Sequence, residues 1–310
     1  MHDHSHAHAH DHSHSHSHVP TSFGRTFAIA TALNLALVIG QAIFGFLANS
    51  LALLADAGHN LGDVMGLVLA WGAVAIAGWR PNARYTYRMH GASILAALAN
   101  GLLLLVAVGA ISWEAVRRFG APQEVASGTV IALAALGVVV NGVSAWLLSR
   151  GSQSDINMRG AFLHMLADAG VSVAVIAAAL GIRYTGWQWL DPAASLLISA
   201  VILFSTWNLL REALGLTLNA APSAIDPAAV RGYLEGLPEV AAVHDLHIWA
   251  MSTTETALTC HLVMPKGHPG DAFLQGVADA LEHKFEIGHS TVQIELNDAG
   301  RCALAPEEVL

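Results

Sequence analysis

Six apolar stretches, each long enough to cross a bilayer as a helix, fill the chain between residues 23 and 218. A helix needs about 20 apolar residues to span the hydrocarbon core. Only 12% of the residues in the whole chain are charged, which is about half the usual share for soluble domains. The pattern predicts a membrane-embedded, all-α bundle of six transmembrane helices. The spans are expected near 24–47, 52–78, 91–116, 126–149, 160–182 and 192–216.

The arginines between these stretches predict the orientation of the bundle, because short cytoplasmic loops are enriched in Lys and Arg. If the N-terminus is inside, the inner side holds Arg25, Arg80, Arg84, Arg88, Arg150, Arg159 and Arg211. The outer side then holds only Arg117, Arg118 and Arg183. We therefore expect a multi-pass protein of the cell (inner) membrane with both termini in the cytoplasm. The N-terminus also lacks the pattern of a secretory signal.

The N-terminal region, residues 1–22, places a His at every even position from His2 to His18. Such a segment cannot build a core, so a disordered, His-rich cytoplasmic tail is predicted. Neutral imidazoles on a flexible tether bind zinc or nickel weakly and reversibly. The expected role of this tail is to raise the local metal concentration.

The region after the apolar stretches, residues 219–300, predicts a small cytoplasmic domain, with residues 301–310 as a tail. Asp226 and Pro227 are typical of a helix start, as N-cap and first helical residue. Strands are predicted at 240–249, 255–264 and 291–296, and a second helix at 270–285. The order helix–strand–strand–helix–strand resembles an α+β fold of the ferredoxin-like kind.

A His-x-x-x-Asp pattern occurs in the second predicted span, as His59 and Asp63, and again in the fifth, as His164 and Asp168. Residues four apart lie on one face of a helix. Ionisable groups inside a membrane are costly and usually functional. Two imidazoles and two carboxylates form a ligand set that suits tetrahedral Zn²⁺. The pattern predicts an intramembrane metal site, while cadmium, cobalt and a metal-free proton relay stay open as alternatives.

Asp56 lies one turn before His59, within a pentapeptide, LADAG, that recurs around Asp168. A fifth ligand, a group that holds the ring of His59, and a structural bond to another helix are all compatible with its position. We interpret Asp56 as a supporting residue. Interhelical hydrogen bonds are expected for the uncharged polar residues of the spans. These residues are Asn34, Gln41, Asn60, Asn100 and Asn141.

The predicted cytoplasmic domain is rich in His, and four of its residues lie at strand positions or ends that can converge across a sheet. They are His244, His261, His289 and Glu295. This arrangement makes a second metal site possible, whereas His268 and His283 are interpreted as ordinary surface residues. Strand alternation places His261 and Cys260 on opposite faces. The two cysteines, Cys260 and Cys302, are too few for a disulfide framework and indicate a reducing compartment.

These motifs together resemble the cation diffusion facilitator family over residues 23–297. The resemblance is carried by SLALLADAGHNLGD at 50–63, HMLADAG at 164–170, HDLHIW at 244–249 and HSTVQIE at 289–295. It implies a homodimeric, proton-coupled exporter of divalent metal that works by alternating access and contacts membrane lipid. Its partners would be metal ions and protons, with Zn²⁺ both transported and bound as a regulatory ligand.

The resemblance also implies which residues bind metal. His59, Asp63, His164 and Asp168 would form the transport site, and His244, His261 and Glu295 a regulatory site, with His289 as a further candidate. The chain departs from the family pattern at Gln41, Gly91, Ser93 and Asn297. We therefore expect no metal site between the second and third spans. We also expect a mononuclear cytoplasmic site.

Two other classes of protein remain as alternatives. An intramembrane zinc hydrolase would need a His-Glu-x-x-His helix or a Ser/His pair and an open coordination position for water. No such helix motif occurs in the chain. A passive metal channel or sensor would share the ligands but not the proton coupling. No nucleic-acid partner is expected, because the formal net charge of −9 gives no support for nucleic-acid binding, which requires a basic face.

Overall fold

The computed structural model describes residues 25–149 and 156–296. The predicted tails at 1–22 and 301–310, together with Asn297 and Cys302, lie outside the described residues. Six long helices come first: α1 (Arg25–Leu47), α2 (Leu51–Ala77), α3 (Ala92–Gly120), α4 (Ser127–Ser149), α5 (Ile156–Thr185) and α6 (Leu190–Thr217). Their ends agree with the predicted spans to within 4 residues.

Four of the described helices, α3 to α6, contain segments that are long and apolar enough to cross a membrane. α1 contributes a shorter apolar segment, Asn34–Leu47. α2 contains the charged residues Asp56 and Asp63. The helices pack mainly as the pairs α4–α5, α3–α6, α2–α3 and α1–α2. Their shared core includes Leu53, Val108, Val130, Val175 and Ile198. Large apolar side chains such as Phe46, Val106 and Phe204 face outward, as expected of a helical membrane domain.

The remaining elements form a small α+β domain: α7 (Pro227–Glu235), β1 (Ala242–Ala250), β2 (Thr256–Val263), α8 (Asp271–Phe285) and β3 (His289–Glu295). This order is the predicted one. Asp226 caps α7, because its Oδ1 accepts the backbone N–H of Ala228 at 3.0 Å. The sheet has the order β1-β2-β3, antiparallel between β1 and β2 and parallel between β2 and β3.

One face of the central strand β2 packs on the helices. Leu258, Cys260 and Leu262 belong to the domain core with Val277 and Leu281 of α8. The opposite face carries His261, which is paired in register with His244 of β1. The alternation of Cys260 and His261 thus separates an apolar face from a polar one, as predicted.

Candidate functional site

The four residues of the two His-x-x-x-Asp pairs meet between α2 and α5. His59 Nε2 lies 3.1 Å from Asp168 Oδ1 and 4.0 Å from Asp63 Oδ2. His164 Nε2 lies 3.3 Å from Asp63 Oδ2 and 3.6 Å from Asp168 Oδ2. Each imidazole therefore faces one carboxylate of its own helix and one of the other helix. Ligand atoms of His59, His164 and Asp168 all lie within 4.8 Å of one another, and Asp63 contacts both rings.

The four side chains differ in exposure along the helix axes. Asp168 and His59 are 2% and 16% exposed, whereas Asp63 and His164 are 31% and 42% exposed. Asp63 and His164 lie nearer the end where α2 finishes and α5 starts. The cluster is thus most open toward that end, which the arginine distribution predicts to be cytoplasmic.

Asp56 is fully buried, and its carboxylate joins three helices. It accepts hydrogen bonds from Gln41 Nε2 of α1 at 2.8 Å and from Ser172 Oγ of α5 at 3.1 Å. Asn60 of its own helix donates a third at 3.3 Å. Of the roles considered for Asp56, the structural bond between helices matches these contacts. The expected interhelical bond is present for Gln41, while Asn60 bonds within α2.

A second buried carboxylate, Asp191 of α6, was not singled out by the sequence patterns. It accepts hydrogen bonds from Ser50 Oγ at 2.6 Å and from the backbone N–H groups of Leu51 at 2.7 Å and Ala52 at 3.3 Å. These N–H groups begin α2 and have no partner within their helix. Asp191 therefore caps α2 from a distant helix, a contact that no local spacing indicates.

In the small α+β domain, His244, His261 and Glu295 meet on the polar face of the sheet. Glu295 Oε1 lies 2.9 Å from His261 Nδ1, and Glu295 Oε2 lies 3.1 Å from His244 Nε2. One ligand atom from each residue falls within a common 4.8 Å. His244 Nδ1 is buried and has no hydrogen-bond partner among the residues that the structure describes. Two nitrogens and a carboxylate at this spacing fit a zinc ion.

A fourth residue, Asp245, belongs to this cluster and was missed by the sequence reasoning. Its Oδ2 lies 3.4 Å from His261 Nε2, and its Oδ1 lies 2.9 Å from His247 Nε2. An acidic residue directly beside a strand His was the available signal. Strict alternation along a strand would send neighbouring side chains to opposite faces, so this signal does not by itself indicate a shared site.

His289 does not join the cluster, although the sequence made it a candidate. It pairs with Ala257 at the start of β3, six positions before Glu295, which pairs with Val263. Its ring instead packs edge-on against Tyr87, with centroids 5.4 Å apart. Tyr87 belongs to the α2–α3 loop, which approaches the α+β domain through a His90–Glu255 contact as well. The Thr253 N–H also donates to Ser93 Oγ at 3.1 Å.

Comparisons with known proteins cover both regions. The family description "cation efflux transmembrane domain" matches residues 27–216, and "cation efflux protein, cytoplasmic domain" matches residues 222–297. The metal cation efflux system protein CzcD of Cupriavidus metallidurans is 38% identical over 273 residues, covering 88% of this chain and 86% of its own. The zinc transporter ZitB of Escherichia coli is 38% identical over 271 residues, covering 87% and 85%.

A further relative is the cadmium, cobalt and zinc/H(+)-K(+) antiporter of Bacillus subtilis. It is 36% identical over 263 residues, covering 83% of this chain and 84% of its own. Among solved structures, the metal-bound C-terminal domain of the CzcD transporter is 37% identical, with a TM-score of 0.22. It covers 23% of this chain and 100% of its own.

Proposed function

We propose that this chain, which belongs to the cation diffusion facilitator family of metal cation efflux proteins, exports Zn²⁺ from the cytoplasm in exchange for protons. The resemblance predicted from the motifs is confirmed by the family match. The family consists of transporters, so the alternative of an intramembrane hydrolase is wrong. Cadmium and cobalt are further candidate substrates, because relatives are named for them.

The observation that carries the proposal is the meeting of His59, Asp63, His164 and Asp168 between two helices of the membrane domain. Two carboxylates balance the charge of a divalent cation, and two imidazole nitrogens favour zinc over hard cations such as Mg²⁺. All four ligands come from the protein and lie within the apolar region. Such a site suits an ion that is bound, carried and released.

The proposed topology has six membrane spans, α1 to α6, with both termini in the cytoplasm and the inner membrane as location. Residues 1–22, 23–218, 219–300 and 301–310 would be the His-rich tail, membrane domain, cytoplasmic domain and final tail. The greater exposure of Asp63 and His164 supports entry of zinc from the cytoplasmic end. On the opposite side of the cluster, the buried contacts of Asp56 with Gln41 and Ser172 join α1, α2 and α5.

Coupling to protons follows from the ligand chemistry. Zinc binds deprotonated imidazole and carboxylate, so protons and metal compete for the same atoms. Imidazole exchanges protons near neutral pH, which allows one side chain to be ligand in one state and proton carrier in the other. Rocking of the helices would expose the cluster alternately to the two sides. The name of the Bacillus relative, an antiporter that uses H⁺ and K⁺, supports exchange rather than passive flow.

The cytoplasmic domain is proposed to form the homodimer and to sense metal, and its three-stranded α+β fold is proposed to be of the ferredoxin-like kind. The family domain that matches residues 222–297 is named as a dimer domain, which supports dimerisation. Zinc held by His244, His261 and Glu295 would provide the cytoplasmic signal. The ion would sit between two imidazoles and a carboxylate that already face one another.

The test is zinc uptake into proteoliposomes with and without an imposed pH gradient. Wild-type flux should rise with the gradient, and Asp63→Ala should reduce it to the level of protein-free vesicles because one ligand and one countercharge are lost. Glu114→Gln, at the other end of the membrane domain, is the matched control and should transport normally. Full flux in Asp63→Ala would contradict the site, and gradient-independent flux in the wild type would favour a channel.

A further inference from the structure

We infer that Asp245 is a positioning residue that holds His261 in the orientation and tautomer needed to bind metal through Nδ1. The inference rests on the proposed cytoplasmic metal site. Asp245 itself stays outside the coordination sphere and acts through the imidazole.

The contacts of His261 divide its two nitrogens between two carboxylates. Nδ1 faces Glu295 Oε1 at 2.9 Å, on the side that also holds His244. Nε2 faces Asp245 Oδ2 at 3.4 Å, on the other side of the ring. The side chains of His261 and Asp245 are 11% and 12% exposed, so water competes little for this contact.

The backbone explains how Asp245 reaches this ring. The pairing of β1 with β2 shifts register between His244 and His247, and Asp245 has a φ of 50°, in the left-handed region. In a regular strand, His244 and Asp245 would point to opposite faces. The bulge turns the carboxylate back toward the polar face, so both residues approach His261. Bulges commonly serve to redirect a side chain in this way.

These contacts give the two nitrogens of the His261 ring different roles. With zinc bound, a proton on Nε2, the nitrogen that faces Asp245, would leave the Nδ1 lone pair for the metal, on the side of the ring that faces Glu295 and His244. A carboxylate bonded to the second nitrogen of a metal-binding His fixes its tautomer and raises its basicity. The other imidazole differs, because His244 Nδ1 lacks such a partner among the described residues. The two imidazoles of the cluster therefore differ. The second nitrogen of His261 faces a carboxylate, and the second nitrogen of His244 has no hydrogen-bond partner among the described residues.

The second contact of Asp245 supplies a matched control. Its Oδ1 faces His247 Nε2 at 2.9 Å, and His247 is 49% exposed and lies outside the cluster of ligand atoms. Removal of His247 takes away a partner of Asp245 without touching the proposed ligands. If Asp245 acts through His261, the loss of His247 should leave zinc binding unchanged.

The first experiment is a zinc titration of the full-length protein in detergent against a competing chelator. The difference between wild type and His244→Ala defines the zinc bound by the cytoplasmic cluster. Asp245→Ala should weaken that component about 10- to 100-fold, the usual effect of removing a carboxylate behind a metal-binding His. Asp245→Asn should lose less, because its amide oxygen still accepts the Nε2–H, and His247→Ala should match the wild type. Equal losses in Asp245→Asn and Asp245→Ala would instead indicate a direct ligand.

The second experiment requires no metal. In ¹⁵N-histidine spectra of the metal-free protein, the signal absent from His261→Gln belongs to His261. The Nε2 proton of this ring should exchange slowly with water in the wild type and in His247→Ala, and faster in Asp245→Ala, because the carboxylate that faces Nε2 is then missing. An unchanged His261 signal in Asp245→Ala overturns the inference. If wild type and His244→Ala bind zinc identically, the proposed metal site fails, and this measurement still decides the role of Asp245.

Discussion

The two His/carboxylate clusters of this protein have similar chemistry but are built in different ways. In the membrane domain, each of two helices contributes a His and an Asp four residues apart. In the cytoplasmic domain, His244, His261 and Glu295 come from three different strands. The first cluster needs one helix–helix contact to form. The second needs the correct register of a three-stranded sheet, with a bulge at Asp245.

We propose that the two clusters also differ in function. The membrane cluster lies between helices that must move if an ion is to reach both sides, and two of its members are partly exposed. The cytoplasmic cluster lies on a sheet whose opposite face is packed against α7 and α8. A site on a packed sheet suits the proposed role of holding zinc and reporting its presence. A partly exposed site between helices suits the proposed role of passage.

The largest effect is expected when the same kind of substitution, the loss of one carboxylate charge, is made in each cluster. Asp168→Asn and Glu295→Gln each remove one carboxylate charge from a cluster. Asp168→Asn should reduce proteoliposome zinc flux to background, because the transported ion loses a ligand. Glu295→Gln should keep most of the flux at saturating zinc and lose the stimulation of flux by low zinc on the cytoplasmic side. Similar losses in the two variants would mean that the clusters do not have separate roles.

An intermediate effect is expected at Asp56. Asp56 and Asp168 each occupy the aspartate position of a LADAG pentapeptide, but Asp56 forms hydrogen bonds with other helices and is not part of the cluster. Asp56→Ala removes two interhelical hydrogen bonds, each worth about 0.6 kcal/mol on average in membrane proteins, and should destabilise the fold by about 1–2 kcal/mol. Thermal unfolding in detergent measures this loss. Asp63→Asn, the control, should unfold near the wild-type temperature. A destabilised Asp63→Asn beside a stable Asp56→Ala would reverse the roles of ligand and support.

The smallest effect concerns the two faces of β2, on which the cytoplasmic cluster depends. Burial raises the pKa of the Cys260 thiol to about 12, so the reactive thiolate is nearly absent at neutral pH. In a Cys302→Ser background, folded protein at pH 7 to 9 should therefore resist maleimide, and unfolded protein should react. Labelling of the folded protein would place Cys260 outside the core and His261 inside it.

Much of the fold follows from patterns of short range. The lengths of the apolar stretches predicted α1 to α6, and the Asp226-Pro227 pair predicted the start of α7. Alternation along the strands predicted the opposite faces of Cys260 and His261. In each case the relevant residues are close in sequence and obey the period of one helix or strand. The residues of the membrane cluster were identified for the same reason.

Contacts between elements that are far apart in the sequence could be identified only in the folded chain. Asp191 caps α2 from α6, and Asp245 reaches His261 through a bulge, so neither contact follows a helical or strand period. His289 was expected to converge with Glu295 from the end of a strand, but the observed β3 begins at His289, separates the two residues by six positions and places His289 beside Tyr87. Side-chain spacing within an element depends on backbone geometry, which the local sequence encodes. Strand register, bulges and helix capping across the fold depend on packing between segments far apart in the chain, so they emerge only when those segments meet.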